Sequence, residues 1–399
     1  LCIPGHAAIF GLVVYSVYAW SVYTQPLVSQ MGWELADTQL TFSLAIFFLG
    51  ISAAFLGKFI EKIGPRKAGM LSALFFGVGI MGSGLAVQLN SIYLLYICYG
   101  VLGGIGLGIG YIAPVATLLR WFPDKRGLAA GIAIMGFGFA ALISSPVIVF
   151  LISAIGIAGA FFTTGAAYFT IIFISSLYLS PPPLDWMPTG FSNLEKTAVE
   201  IGDKSTTDFS GSEALRSKKF WYLWMMFFIN ISCGIAIISA ASPMAQEYAG
   251  LSAVSAAAMV GFMGLFNGAG RIGWASLSDL TGRPAMFSIF FVIQIAAYLF
   301  LTTVSDPLLF QILIFIIISC YGGGFATMPA FLSDVFGTKN LGIILGYILT
   351  AWAAAGLAGP LFAAWTRSVT SSYDETLYVF SGLLVVGLGI SVLMGRVRE

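Results

Sequence analysis

The sequence predicts an all-α membrane protein, with twelve transmembrane helices in two six-helix bundles related by a pseudo-twofold axis along the membrane normal. Three observations lead there. Hydrophobic residues make up 59% of the 399 residues and charged residues only 9%, with a mean hydropathy of +0.95. A water-soluble core does not reach that balance. Apolar runs of roughly 20 residues, the length needed to cross a bilayer, recur from end to end without the polar–apolar alternation of a membrane β-barrel. Sixteen of the eighteen Lys and Arg residues fall on one side of the zigzag those runs trace.

Taken in order, the runs are 7–29, 36–60, 67–88, 91–119, 127–154, 158–179, 220–246, 253–278, 285–304, 307–333, 341–366 and 375–395. The one long polar segment, 180–219, opens on Pro181–Pro183 and continues in Ser, Thr and mixed charges. It reads as a flexible linker between an N-terminal bundle, 1–179, and a C-terminal bundle, 220–399. The sixteen cations lie after even-numbered spans, in the linker or at the C-terminus, so both termini are expected in the cytoplasm of a cell (inner or plasma) membrane protein. Arg367 is the exception in an odd loop, and Arg271 is left inside a span. The halves repeat weakly in the same order. Glu61-Lys62-Ile63-Gly64-Pro65-Arg66 after span 2 is echoed by Asp279-Leu280-Thr281-Gly282-Arg283 after span 8, and Phe122, Lys125 and Gly127 by Phe336, Lys339 and Gly342. A parallel repeat of this kind places a ligand between the halves near the midplane.

Several chemistries are excluded. Cys2, Cys98, Cys233 and Cys320 lack metal-ligand spacing. No nucleophile–base constellation, paired catalytic carboxylates or ATP-binding signature stands in the spans, so no enzyme activity and no cofactor is expected. The net charge of +1 points to no nucleic-acid partner. The glycines at 100, 103, 104, 106, 108 and 110 mimic a nucleotide fingerprint, but inside an apolar run they read as close helix packing. His6 reads as an interfacial residue. The chain opens at Leu1 without a basic leader, so a short N-terminal segment is expected to be missing and no cleavable signal peptide is expected.

The chemistry concentrates in Gly261–Arg283. A guanidinium keeps its proton, and one in a span costs at least about 2.5–3.5 kcal/mol on insertion scales. Arg271 is therefore expected to face an aqueous cavity or an anion. It can offer one carboxylate a bidentate pair of hydrogen bonds, while a second carboxylate would stay unpaired. The competing reading is a structural ion pair, but Asp279 lies eight residues on, roughly 12 Å along a helix. Asn267, one turn before Arg271, either donates to a ligand, holds the guanidinium, or makes a packing hydrogen bond.

The segment Gly57-Lys58-Phe59-Ile60-Glu61-Lys62-Ile63-Gly64-Pro65-Arg66-Lys67 resembles the loop 2–3 signature of the major facilitator superfamily, with Glu in its usual Asp position. Arg120-Trp121-Phe122-Pro123-Asp124-Lys125-Arg126-Gly127-Leu128-Ala129 and Phe220-Trp221-Tyr222-Leu223-Trp224 are similar to the oxalate/formate antiporter family, related to the monocarboxylate transporters. The resemblance implies alternating access to a central carboxylate site anchored by Arg271. It also implies cavity-lining aromatics at Tyr111, Tyr321 and Phe325, with Tyr18 a further candidate. Packing against helices or lipid is the alternative for each aromatic. Oxalate exchangers of the family add a span-11 lysine, and this span 11 has no cation; animal monocarboxylate transporters carry an acid where Asn267 stands. These departures argue against a dianion and leave the proton's route open. The expectation is a monomeric secondary transporter of small monocarboxylates such as lactate, pyruvate or acetate, coupled to a proton, with carboxylate exchange of the oxalate/formate type as the alternative. Glu61, Arg66, Asp124, Arg126, Asp279 and Arg283 are expected to gate the cytoplasmic side through contacts between the halves, or to set topology alone.

Overall fold

The computed structural model describes residues 15–121, 126–181, 183, 209–337 and 340–396. Its elements are helical. A 3-10 turn, Tyr15–Ala19, leads into α1 (Ser21–Met31), followed by α2 (Leu35–Phe55), the short α3 (Gly57–Ile63) and α4 (Pro65–Gln88). The fourth expected span is one continuous rod of three windings: α5 (Ile92–Leu95), a π-helical stretch Tyr96–Gly103, and α6 (Gly104–Trp121). The fifth and sixth spans are merged in α7 (Arg126–Leu177), broken where Gly156 takes φ 75° and ψ 173°, a backbone state open to glycine. The remainder comprises α8 (Gly211–Arg216), α9 (Lys218–Tyr248), α10 (Ala253–Thr281), α11 (Arg283–Leu301), α12 (Pro307–Phe336), α13 (Leu341–Thr370) and α14 (Asp374–Arg396).

Among the described residues, ten helices are long and apolar enough to cross a membrane, one of them the bent Ala140–Leu177. With every backbone polar group satisfied inside the helix, this is the architecture hydrocarbon permits. The structure is that of a multi-pass membrane protein. Its side chains follow suit: Phe150, Phe262, Leu299 and Val385 are exposed, whereas Trp20, Phe161, Tyr298 and Trp352 are buried.

Among the described residues, the N-terminal helices meet the C-terminal ones chiefly at α2 on α13, α7 on α10, and α1 on α9. Along the first, small residues set an antiparallel register. A Cβ on Gly50 would strike Ala353, one on Gly356 would strike Ile46, and one on Gly346 would meet Ala54. Gln39 fastens α2 to both sides, its Nε2 donating to Ser239 O at 3.0 Å and to Thr24 Oγ1 at 3.4 Å. The glycines of α6 pack as the sequence implies: Gly104 abuts Ala45 and Phe48, and Gly106 abuts the backbone of Phe76.

The segment expected to be a flexible linker is structured at its end. In α8, Ser210 and Glu213 form a reciprocal capping box, with Ser210 N donating to Glu213 Oε2 at 2.7 Å. Those bonds hold the Glu213 carboxyl below the usual carboxylate range. Phe209 N donates to Phe336 O at 3.1 Å, and Asn340 Nδ2 donates to Phe209 O at 2.8 Å, pinning this strap to the ends of α12 and α13. His6, Cys2, Lys339 and the linker residues 184–208 lie outside the described residues.

Candidate substrate-binding site

α10 starts at a Ser252 cap, whose Oγ accepts from Ser255 N at 3.2 Å, and runs unbroken past Arg271. Asn267 and Arg271 are 1% and 5% exposed. One helical turn brings them together, and Arg271 Nε donates to Asn267 Oδ1 at 3.0 Å. Of the roles open to Asn267, the structure shows the one that holds the guanidinium. Asp279 is engaged elsewhere: its Oδ1 accepts from Arg283 Nη2 at 2.5 Å.

α12 supplies the opposing surface. Gly322 admits Asn267, since a Cβ there would strike its main-chain and side-chain oxygens, and a Cβ on Gly270 would strike the backbone of Ser319. That close approach brings the Phe325 ring to the guanidinium, with Arg271 Cζ 5.0 Å from its centroid. In low-dielectric surroundings, a cation over a ring face is attracted by about 0.5–2 kcal/mol. Phe325 packs edge-on against Tyr321 at 5.3 Å, Phe227 of α9 at 5.0 Å and Trp352 of α13 at 4.9 Å.

The N-terminal helices complete the cluster. Tyr18, on the 3-10 turn, shares a 2.7 Å hydrogen bond with the Tyr321 hydroxyl, and Tyr111 of α6 lies edge-on to Trp352 at 5.9 Å. Tyr18 and Tyr321 are buried and Tyr111 half-buried. The six residues singled out in the sequence, Arg271, Asn267, Tyr111, Tyr321, Phe325 and Tyr18, thus form one contiguous group spanning both halves. Trp352 completes it and was missed. Its signal was a lone bulky side chain in the small-residue run Ala351-Trp352-Ala353-Ala354-Ala355-Gly356.

The expected gating residues are more dispersed. Arg283 bonds to Asp279 and Ser278 and pairs at 3.6 Å with Asp334, which ties the ends of α10, α11 and α12 to one another. Arg66 is exposed in the first turn of α4. Asp124 and the side chains of Glu61 and Arg126 lie outside the described residues. Among the described residues no group of His, Cys, Asp and Glu could hold a metal ion.

A buried guanidinium under an aromatic ring, where N-terminal and C-terminal helices meet, is a candidate polar site inside a multi-pass membrane protein. Residues 7–360 match the Major Facilitator Superfamily, and the chain belongs to it. The oxalate:formate antiporter of Oxalobacter formigenes is 30% identical over 344 residues, covering 86% of this chain and 78% of that protein. Monocarboxylate transporter 14 of Mus musculus is 22% identical, covering 87% and 80%. Among solved structures, a bacterial homolog of the human lysosomal transporter Spinster, inward-facing and unoccupied, shares the fold with a TM-score of 0.72 at 15% identity, covering 99% of this chain and 96% of that one.

Proposed function

We propose that the protein moves small monocarboxylates of the lactate, pyruvate and acetate class across a cell membrane by alternating access, in symport with a proton. The observation that carries this reading is Arg271, a guanidinium 5% exposed, oriented by Asn267 at 3.0 Å and roofed by Phe325. One fixed fork suits one carboxylate. The aromatic surroundings suit a short apolar body, and the Tyr18 and Tyr321 hydroxyls can meet a second oxygen. Substrate neutralises the charge between the halves and so lowers the barrier to their rocking.

In this reading the chain forms twelve spans in two bundles, 1–179 and 220–399, joined through 180–219, with a pseudo-twofold axis along the membrane normal. The monomer is the working unit, and both termini face the cytoplasm. Glu61, Arg66, Asp124, Arg126, Asp279 and Arg283 act at the cytoplasmic gate. The likeness to an oxalate:formate antiporter at 30% identity favours a second reading, carboxylate exchange without net proton movement; the absence of a cation from 341–366 weighs against a dianionic substrate.

The test is radiolabelled L-lactate uptake into proteoliposomes with the inside alkaline. Accumulation abolished by a protonophore supports symport. Uptake indifferent to the gradient but dependent on preloaded carboxylate refutes symport in favour of exchange.

A further inference from the structure

Arg367 stands apart from the site just described. It lies in the last turn of α13, 15 residues beyond Trp352, about 22 Å along the helix. It follows Gly356 by eleven residues, beyond Pro360 of the same helix, and its contacts run to the end of α9 and to Tyr373 before α14. Its Nε donates to Glu247 Oε2 at 2.8 Å, with the two side chains 25% and 30% exposed. Its Cζ lies 5.8 Å from the Tyr373 ring centroid. Around this pair, Tyr248 Oη donates to Asp374 Oδ1 at 2.8 Å and accepts from Tyr373 N at 2.9 Å, so the ends of α9 and α13 and the start of α14 form one bonded rim.

The charge on that face is lopsided. Its loops and helix ends carry Glu34, Asp37, Glu247, Asp306, Asp374 and Glu375 against the single cation Arg367. An anion approaching from this side meets carboxylates everywhere except at one guanidinium, and a carboxylate already occupies it.

We propose that Arg367 is an outer capture site for the substrate carboxylate, with Glu247 as the built-in carboxylate that the substrate displaces. The inference rests on the monocarboxylate reading above. Exchange of one carboxylate for another keeps Arg367 paired, and the displaced Glu247, 30% exposed, is left to water. Partial exposure keeps the hold weak, which lets the anion move on to the buried Arg271. Glu247 thus competes with substrate, and the acidic rim rejects anions that cannot displace it.

The experiment measures L-lactate KM separately from each face, in cells and in inverted membrane vesicles, for the parent chain, Glu247→Gln and Arg367→Gln. From the face that carries Arg367, Glu247→Gln lowers KM about threefold and Arg367→Gln raises it about threefold, with the opposite-face KM unchanged. Arg367→Lys, which keeps the charge, falls between Arg367→Gln and the parent. A purely structural latch would move both Gln variants the same way, through lower maximal rate and lower Tm. That outcome, or unshifted KM in both, overturns the capture site while leaving the transport reading intact. Should Glu247→Gln fail to fold, an Arg367→Gln KM unchanged from that face overturns the proposal by itself. A parent chain that moves no monocarboxylate overturns both.

Discussion

Arg271→Lys keeps the positive charge in α10 and removes the fork. Lysine is a point charge on a flexible stem, so it cannot present two parallel donors to one carboxylate, nor can it reproduce the Nε bond to Asn267 at 3.0 Å that fixes the guanidinium plane. The Asn267 bond exists before and after substrate arrives, so its loss mainly costs orientation. The second carboxylate bond exists only with substrate bound, and a hydrogen bond to a charged group contributes about 1.5–3 kcal/mol. Losing it raises KM roughly tenfold to 150-fold. The assay is initial-rate L-lactate uptake in proteoliposomes, with Tm in detergent as the control for folding. Arg271→Ala should abolish accumulation outright. An Arg271→Lys variant whose KM stays within about threefold of the parent would refute bidentate recognition, and an Arg271→Ala variant that still accumulates lactate would remove the anchor altogether.

Tyr18→Phe and Tyr321→Phe each delete the same 2.7 Å bond, so each should cost about 0.5–1.5 kcal/mol in Tm or binding, and the double variant no more than the worse single one; additive losses would disprove their coupling. Gly270→Ala drives a Cβ onto the Ser319 backbone, an overpacking of about 1–3 kcal/mol; a lower Tm and a higher KM should appear together, because the α10–α12 approach sets the Arg271–Phe325 contact. The Glu213 carboxyl is depressed in the folded strap, so its contribution is present above the unfolded value near pH 4.3 and is lost as pH falls through the depressed folded value. Amide protection across 209–216, referred to intrinsic exchange at the same pH, should therefore fall in acid, and Glu213→Ala should bring the same fall at neutral pH; protection indifferent to both would refute the cap's role.

Much of the site was legible because α-helical spacing is short-range. Asn267 and Arg271 four residues apart, and Tyr321 and Phe325 four apart, must share faces whatever the tertiary arrangement, and a cation within a span announces itself by its cost. Trp352 was not legible in that way. Its partners Tyr111 and Phe325 lie on two other helices, and no local pattern marks which face of a uniformly apolar run turns inward. The gating turns illustrate the opposite limit: Asp279 and Arg283, again four apart, pair with each other, and only the tertiary position of Asp334 shows that this group gathers the ends of α10, α11 and α12.

Composition and periodicity determined the membrane class, the run of apolar helices and the isolation of Arg271, because hydrocarbon admits one spanning structure for such runs and penalises any charge within them. The break at Gly156, the strap at 209–216 and the meeting of Tyr18 with Tyr321 were decided by the tertiary structure. Each depends on contacts or backbone angles that helices equally apolar on every side do not encode, so glycine clearances and side-chain shape chose the partners.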